Sequence, residues 1–415
     1  MGARAAAPAH GPWEPCGGPA PGVTRAAGER DGACRGARRP GRARPPPHAD
    51  EEGTPTPATP ARRQSTFGFT DWNVDDRPLV VIWEATRACA LACRHCRASA
   101  QHRPGPEELD AAQARALLTQ VAAIRPGIFV ITGGDPLERP DLFDLFGFAR
   151  DLHLGVSLAP SATPLLEQAA IERLAGLGCR GVQISLDGPD AESHDRFRGQ
   201  AGTFSRTLQA CHWVRAAGLP LTVATTVTRH NVERLTEVYQ LVQTLDPVRW
   251  SVFFLVPTGR ARQEESVAPE VAEAVLLWLH MLSREAPFAI KTTEAPQVRR
   301  FLVSDPAAAG RSATVADGRG FVFVSAAGDI FPSGFLPLPA GNVRRDDLLE
   351  VYRNHPLFRS LRDPDALRGP RCGHCTYRRV CGGSRSRAYA VSGDPLGDDP
   401  LCAFVSGSQG EGPSC

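Results

Sequence analysis

From Leu79 onward, short β-branched runs alternate with amphipathic stretches, the pattern of repeated strand and helix units that feed a parallel sheet. The runs predict strands at Leu79 to Glu84, Ile128 to Thr132, Gly155 to Leu158, Gly181 to Ser185, Leu221 to Thr226 and Trp250 to Val256. Helix-period segments lie near residues 107–122, 141–152, 164–176, 203–217, 231–245 and 268–284. Six such units predict an α/β fold, an open or partial barrel whose reactive groups gather where strands end and loops begin. After about residue 300 the pattern changes to a hairpin-like piece (Gly320 to Pro332), two short helices and a cysteine-rich tail. At the other end, the Pro, Gly, Ala and Arg of the first 65 residues hold almost no aliphatic run, so burial there does not offset chain entropy and a disordered tail is expected. The expected organisation is a tail over 1–65, the barrel over 66–300 and a small C-terminal domain over 301–415.

Composition narrows the function classes. A chain of 415 residues that is 42% hydrophobic is long enough to bury the core of an enzyme-sized body. Net charge of +2 implies neither a nucleic-acid nor a membrane partner. No apolar run approaches the roughly 20 residues that span a bilayer, no secretory signal pattern is seen, and the clustered cysteines do not read as a disulfide framework. A soluble protein of the reducing cytoplasm is expected. Lys291 is the single lysine, so nearly all positive charge is arginine.

The first chemical signal follows the first strand directly. Cys89, Cys93 and Cys96 form a CxxxCxxC spacing on a loop. Three thiolates leave one iron of a 4Fe-4S cubane without a protein ligand, and the amino and carboxylate groups of S-adenosylmethionine (SAM) can chelate that iron. The same residues with His95 would equally make a closed Cys3His zinc site. A second group near the C-terminus, Cys372, Cys375, Cys381 and Cys402, has enough thiolates to close one zinc or iron-sulfur site. Cys179 and Cys211 stand alone in apolar segments and read as core thiols; Cys16 and Cys34 fall in the N-terminal tail with no role expected, and Cys415 reads as a free terminal thiol. Glu84 with Arg87 reads as a brace for the first cysteine loop.

These residues resemble the radical SAM superfamily, whose fold is a partial (βα)6 barrel. Gly133-Gly134-Asp135-Pro136 after the second strand is similar to that family's GGEP motif, with Asp for Glu; glycines there let the backbone approach the methionine end of SAM, while Asp135 and Pro136 also read as a plain helix start. Ser185-Leu-Asp187-Gly188 and His194-Asp195-Arg-Phe-Arg198-Gly199 resemble its SLDG and HDxxRG segments. The resemblance implies that Ser185 and Arg198 reach the SAM carboxylate or ribose, with Asp187 beside them; an arginine can pair bidentately with a carboxylate. Thr226 and Thr228 read either as ribose contacts or as ordinary strand-end threonines.

The C-terminal segment resembles SPASM/twitch extensions, which hold auxiliary clusters. Ser333 and Ser384 stand where cysteines are usual, so one auxiliary 4Fe-4S cluster is expected rather than two. The phrases Trp83-Glu84-Ala-Thr86, Thr292-Thr-Glu-Ala-Pro296, Pro332-Ser-Gly-Phe335 and the run Cys381 to Tyr389 look like the alternative haem-biosynthesis branch. That likeness implies reductive cleavage of SAM to a 5′-deoxyadenosyl radical, driven by a reductant such as flavodoxin or ferredoxin. It further implies hydrogen abstraction from a carboxylated small molecule, a tetrapyrrole that is decarboxylated or deacetylated. Arg260, Arg299 and Arg300 are candidate partners for its carboxylates. The alternatives are a radical SAM peptide maturase and, in another class, a non-catalytic zinc-binding scaffold.

Overall fold

The computed structural model describes residues 72–303 and 315–404. The expectations for residues 1–65, with Cys16 and Cys34, and for Cys415 lie outside the described residues. All six anticipated strands form: β1 (Val80–Glu84), β2 (Ile128–Thr132), β3 (Val156–Leu158), β4 (Val182–Ser185), β5 (Leu221–Val227) and β6 (Arg249–Phe254). The intervening and following helices are α1 (Ala111–Ile124), α2 (Leu142–Asp151), α3 (Gln168–Gly176), α4 (Ala191–Arg198), α5 (Thr203–Ala216), α6 (Leu235–Thr244) and α7 (Pro269–Glu285). Asp110 starts α1 through a capping box with Gln113, and Asp190 starts α4 by accepting from the Ser193 N–H. Helix α4 was not anticipated, because only His194 and Phe197 of its residues are buried.

A strand also absent from the expectation, β7 (Ala289–Thr293), pairs parallel with β6. Beyond α8 (Arg299–Val303) come β8 (Phe321–Val324), β9 (Asp329–Phe331) and β10 (Gly341–Asn342), then α9 (Leu348–Asn354), α10 (Pro356–Arg362) and α11 (Arg385–Ser392). The anticipated hairpin is β8–β9, and it does more than close on itself: β8 pairs parallel with β1, Val80 opposite Phe321. One sheet therefore runs β10-β9-β8-β1-β2-β3-β4-β5-β6-β7. It crosses the sequence position where the C-terminal domain was expected to begin. No helix among the described residues is long and apolar enough to cross a membrane.

Alternation along the strands assigns the two faces. Val81, Trp83, Phe129, Ile131, Val182, Ile184, Val223, Trp250, Val252, Phe254, Val322 and Val324 all join one core with the inward residues of the helices, among them Leu117, Leu118 and Val121 of α1. The intervening residues, Glu84, Thr132, Ser185, Thr226, Phe253 and Phe323 among them, face the opposite, concave side. Cys179 and Cys211 lie in the core as expected.

Candidate active site

The loop after β1 carries Cys89, Cys93 and Cys96 as free thiols, the first two buried. Its path is fixed by the ends of other strands. After β2, the Gly134 N–H donates to the Thr86 carbonyl and the Asp135 N–H to the Ala88 carbonyl, each at 2.7 Å. A Cβ on Gly134 would come within 2.8 Å of the Ala88 carbonyl carbon, so this contact requires glycine. After β6, Gly259 at φ 63° presses on Cys96 and Arg97, again leaving no room for a side chain. Next to it the Arg260 N–H donates to the Cys96 carbonyl at 3.0 Å, Nε to that of Cys93 at 2.9 Å and Nη1 to that of Ala100 at 2.8 Å. Arg260 is thus a clamp on the cysteine loop, not the open carboxylate partner expected of it.

Each sulfur has a polar neighbour. The Leu91 N–H donates to Cys89 Sγ at 3.4 Å and the Ala100 N–H to Cys96 Sγ at 3.5 Å, while Arg198 Nη1 donates to Cys93 Sγ at 3.8 Å. Burial pushes the Cys89 thiol up to about 11 and raises Cys93 as well, the latter against the pull of Arg198. Three buried donors or acceptors around this loop have no partner in the protein: His95 Nδ1, Arg198 Nε and Arg260 Nη2. His95 itself stacks on Phe197, ring centroids 4.2 Å apart at 15°. Burial and the nearby Arg198 and Arg260 hold its imidazole neutral, well below its ordinary value. Among the described residues no three His, Cys, Asp or Glu side chains gather closely enough for one metal ion, which holds for Cys89, Cys93 and Cys96, with or without His95, and for the C-terminal cysteines alike.

The other expected site residues fall into two groups. Ser185 and Thr226 are half-buried on the concave face. Asp187, Asp135 and Thr228 are buried and already engaged. Asp187 pairs with Arg198 and accepts from the Thr226 N–H at 2.7 Å. Burial raises its carboxyl, and Arg198 opposes that shift. Asp135 accepts from Thr163 Oγ1 at 2.6 Å and from the Leu137 N–H at 3.2 Å, capping a short 3-10 helix that starts at Pro136. Burial brings its carboxyl up to about 6. The Thr228 hydroxyl lies in a turn with Asn231 and accepts from the His230 N–H.

Sequence reasoning missed Asn231, whose Nδ2 donates to the Asp187 and Thr226 carbonyls at 2.9 Å each and ties the ends of β4 and β5. Glu84 and Arg87 brace the cysteine loop as expected, each through its own partner. Glu84 binds Arg97 at 2.7 Å, and Arg97 lies over the Phe323 ring; Arg87 turns to the Ala98 carbonyl. The Asn231 and Arg97 contacts join segments distant in sequence or on separate elements and leave no local pattern, which is why they escaped notice.

The second cysteine group lies around α11. Cys372, Cys375 and Cys381 precede that helix and Cys402 follows it. The Tyr377 and Gly383 N–H groups donate to Cys375 and Cys381 Sγ at 3.4 Å, and Arg385 Nη2 to Cys372 Sγ at 3.8 Å. Burial raises Cys372 and Cys402 and pushes Cys381 up to about 12. Ser384, where a cysteine was weighed, caps α11 by accepting from the Arg387 N–H at 3.0 Å and donates to Glu294 at 2.5 Å. A buried pair fastens the segment: Arg387 Nη1 meets both Asp399 oxygens at 3.1 Å, and the same guanidinium donates to the Leu255, Phe254 and Glu294 carbonyls at the ends of β6 and β7. Arg299 donates to the Val380 and Val315 carbonyls, and Arg300 pairs with Glu273 at 2.5 Å. Both arginines are therefore engaged by the protein itself.

Comparison with known proteins fits this geometry. The radical SAM superfamily signature matches residues 83–242. The AdoMet-dependent heme synthase of Methanosarcina barkeri is 38% identical over 344 residues, which cover 80% of this chain and 98% of that one. The mycofactocin maturase MftC of Mycobacterium ulcerans is 34% identical, over 79% of this chain and 88% of that one. Among solved structures, Streptococcus suis SuiB bound to S-adenosylmethionine superposes with a TM-score of 0.62 at 18% identity, covering 79% of this chain and 78% of that one, a likeness of fold. Membership of this family implies a 4Fe-4S cluster and SAM, and it sets aside the non-catalytic scaffold. The chain belongs to the radical SAM superfamily and is an enzyme of it.

Proposed function

We propose that this enzyme acts on a carboxylated tetrapyrrole, removing carboxyl or acetyl carbon from its side chains. In this reading Cys89, Cys93 and Cys96 hold the cluster that binds SAM, and Cys372, Cys375, Cys381 and Cys402 hold one auxiliary 4Fe-4S cluster. The residues present suit those groups. Every sulfur of the first loop has a hydrogen-bond donor or cation beside it, as anionic thiolates need. Arg198 Nε and Arg260 Nη2 are buried donors still lacking a partner. A Cβ on Gly133 or Gly134 would collide with the Thr86 or Ala88 carbonyl, so glycine lets this ledge, the proposed SAM support, pack directly on the cysteine loop. When bound, the cluster and SAM together supply a 5′-deoxyadenosyl radical that takes a hydrogen atom from the substrate.

The chain's own part is to position. Ser185, Thr226 and the ledge Gly133 to Pro136 orient SAM. Arg198 holds positive charge at Cys93, and Asp187 fixes Arg198, as Thr228 and Asn231 fix the turn beneath it. The concave face offers a flat substrate aromatic surface: Phe253 lies 6.4 Å from Phe335, and Phe323 the same distance from Phe331. The observation that carries the tetrapyrrole reading is the 38% identity to a heme synthase over nearly that protein's whole length. A peptide substrate is the second reading, favoured by the 34% identity to the mycofactocin maturase MftC.

Deuterium placed on the propionate side chains of an iron porphyrin should appear in 5′-deoxyadenosine after anaerobic incubation with SAM and a flavodoxin or ferredoxin. Label that stays in the porphyrin while a peptide triggers deoxyadenosine release would overturn the tetrapyrrole reading in favour of the second.

A further inference from the structure

Arg249 opens β6 and Lys291 lies in the middle of β7. In the parallel register Arg249 stands opposite Ala289 and Ser251 opposite Lys291, which makes the two basic residues diagonal neighbours on adjacent strands. Trp250, Val252 and Phe254 point into the helix-covered core, and Ile290 packs against it. Alternation therefore sends Arg249 and Lys291 to the concave face, the one that also carries Phe253. Strand β7 is an edge of the sheet, so this stretch borders the open side of the barrel.

Lys291 is the sole lysine of the chain. Its side chain is open to water, yet desolvation by surrounding protein is the strongest influence on its ammonium. Both conditions hold for a side chain that projects into a lined concavity. The charges acting on it are Arg249 and Arg299, cations both, and together with burial they bring it down to about 8. Burial likewise lowers Arg249. Among the described residues neither Arg249 nor Lys291 has a carboxylate partner. Arg299 is tied to two backbone carbonyls and adds field rather than a free hand. Two cations held side by side without a counter-charge cost stability, and an arriving anion removes that cost.

We infer that Arg249 and Lys291 form the seat for a carboxylate group of the substrate. The inference rests on the tetrapyrrole reading for the identity of that carboxylate, a propionate whose ring system lies along the Phe253 side of the concavity. Arg249 supplies the planar fork and Lys291 the point charge. The pair takes over the role that sequence reasoning gave to Arg260, Arg299 and Arg300.

The single ε-amine makes the test independent of turnover. In the reconstituted enzyme, acetylation by an N-hydroxysuccinimide ester is followed by mass spectrometry of the Lys291 peptide. The rate should climb as pH rises through about 8. An iron porphyrin bearing free propionates should slow labelling about tenfold, its methyl ester should leave the rate unchanged, and Arg249→Gln should weaken the protection about tenfold. The seat is overturned if the free acid binds, by its visible absorbance shift, while Lys291 labels at the unprotected rate, or if the ester protects equally well. Should neither porphyrin bind, the tetrapyrrole reading fails by itself and glutarate decides the seat: protection upholds it, and no protection overturns it.

Discussion

The two cysteine groups are held by different means. Cys89, Cys93 and Cys96 lie on one loop, held by its own N–H groups and by the strand ends of the barrel: the Gly134 ledge after β2, Arg198 after β4, and Gly259 with Arg260 after β6. Cys372, Cys375, Cys381 and Cys402 lie on both sides of a helix, organised by local turns and tied to the barrel by the Arg387 guanidinium, which is paired with Asp399 and donates to the Phe254, Leu255 and Glu294 carbonyls. The first geometry is distributed over backbone hydrogen bonds, the Arg260 guanidinium on two loop carbonyls and the Arg198–Asp187 pair, so no single support carries it alone. The second depends on a charged pair whose side chains are 1% and 0% exposed, where loss of one partner leaves the other charge stranded. The first site should therefore tolerate changes in its supports and fail on its ligands; the second should fail on its support.

The largest effect should come from the ligands. Cys93→Ala should abolish deoxyadenosine formation and remove about four irons per chain, whereas Cys402→Ala should leave SAM cleavage with about four irons still bound. Equal loss of SAM cleavage in both variants would erase the distinction. Next in size, Arg387→Met should lower unfolding free energy by about 3–5 kcal/mol, because Asp399 stays buried without its cation; the double variant with Asp399→Leu should recover much of that loss in urea titration. A third change sharpens the comparison at the first site. Gly134→Ala forces a Cβ against the Ala88 carbonyl and should cost about 1–3 kcal/mol while slowing SAM cleavage at full iron content.

The smallest effect concerns Lys291. Its amine sits below its ordinary value of 10.5, at about 8, so between these values the unfolded chain holds a proton that the folded one has released. Wild-type stability should accordingly rise with pH across that window, and Lys291→Met should flatten the rise and gain stability at neutral pH. Thermal melts of the two proteins at pH 7 and pH 10 give the answer.

How much of this was legible follows from what each feature depends on. Strands β1 to β6 are aliphatic because one face of each packs on helices, so their runs stand out. Strand β7, Ala289 to Thr293, has a lysine and two threonines and sits at the sheet edge, so it gives no aliphatic signal. The pairing of β8 with β1 joins segments far apart in the chain, and no local pattern encodes it. Cysteine spacing was readable because ligand geometry constrains it. Arginine roles were not, since a guanidinium that ends on a backbone carbonyl, as in Arg260 and Arg387, reads in sequence like one that awaits a ligand. Arg249 and Lys291 show the reverse case: they were passed over until the strand register placed both on the concave face.

Iron and acid-labile sulfide counts on the anaerobically reconstituted chain test the central claim most directly. The account requires about eight irons per wild-type chain and about four in the Cys89→Ala, Cys93→Ala, Cys96→Ala triple variant, which should no longer cleave SAM. About twelve irons in the wild type, or SAM cleavage surviving in the triple variant, would contradict it.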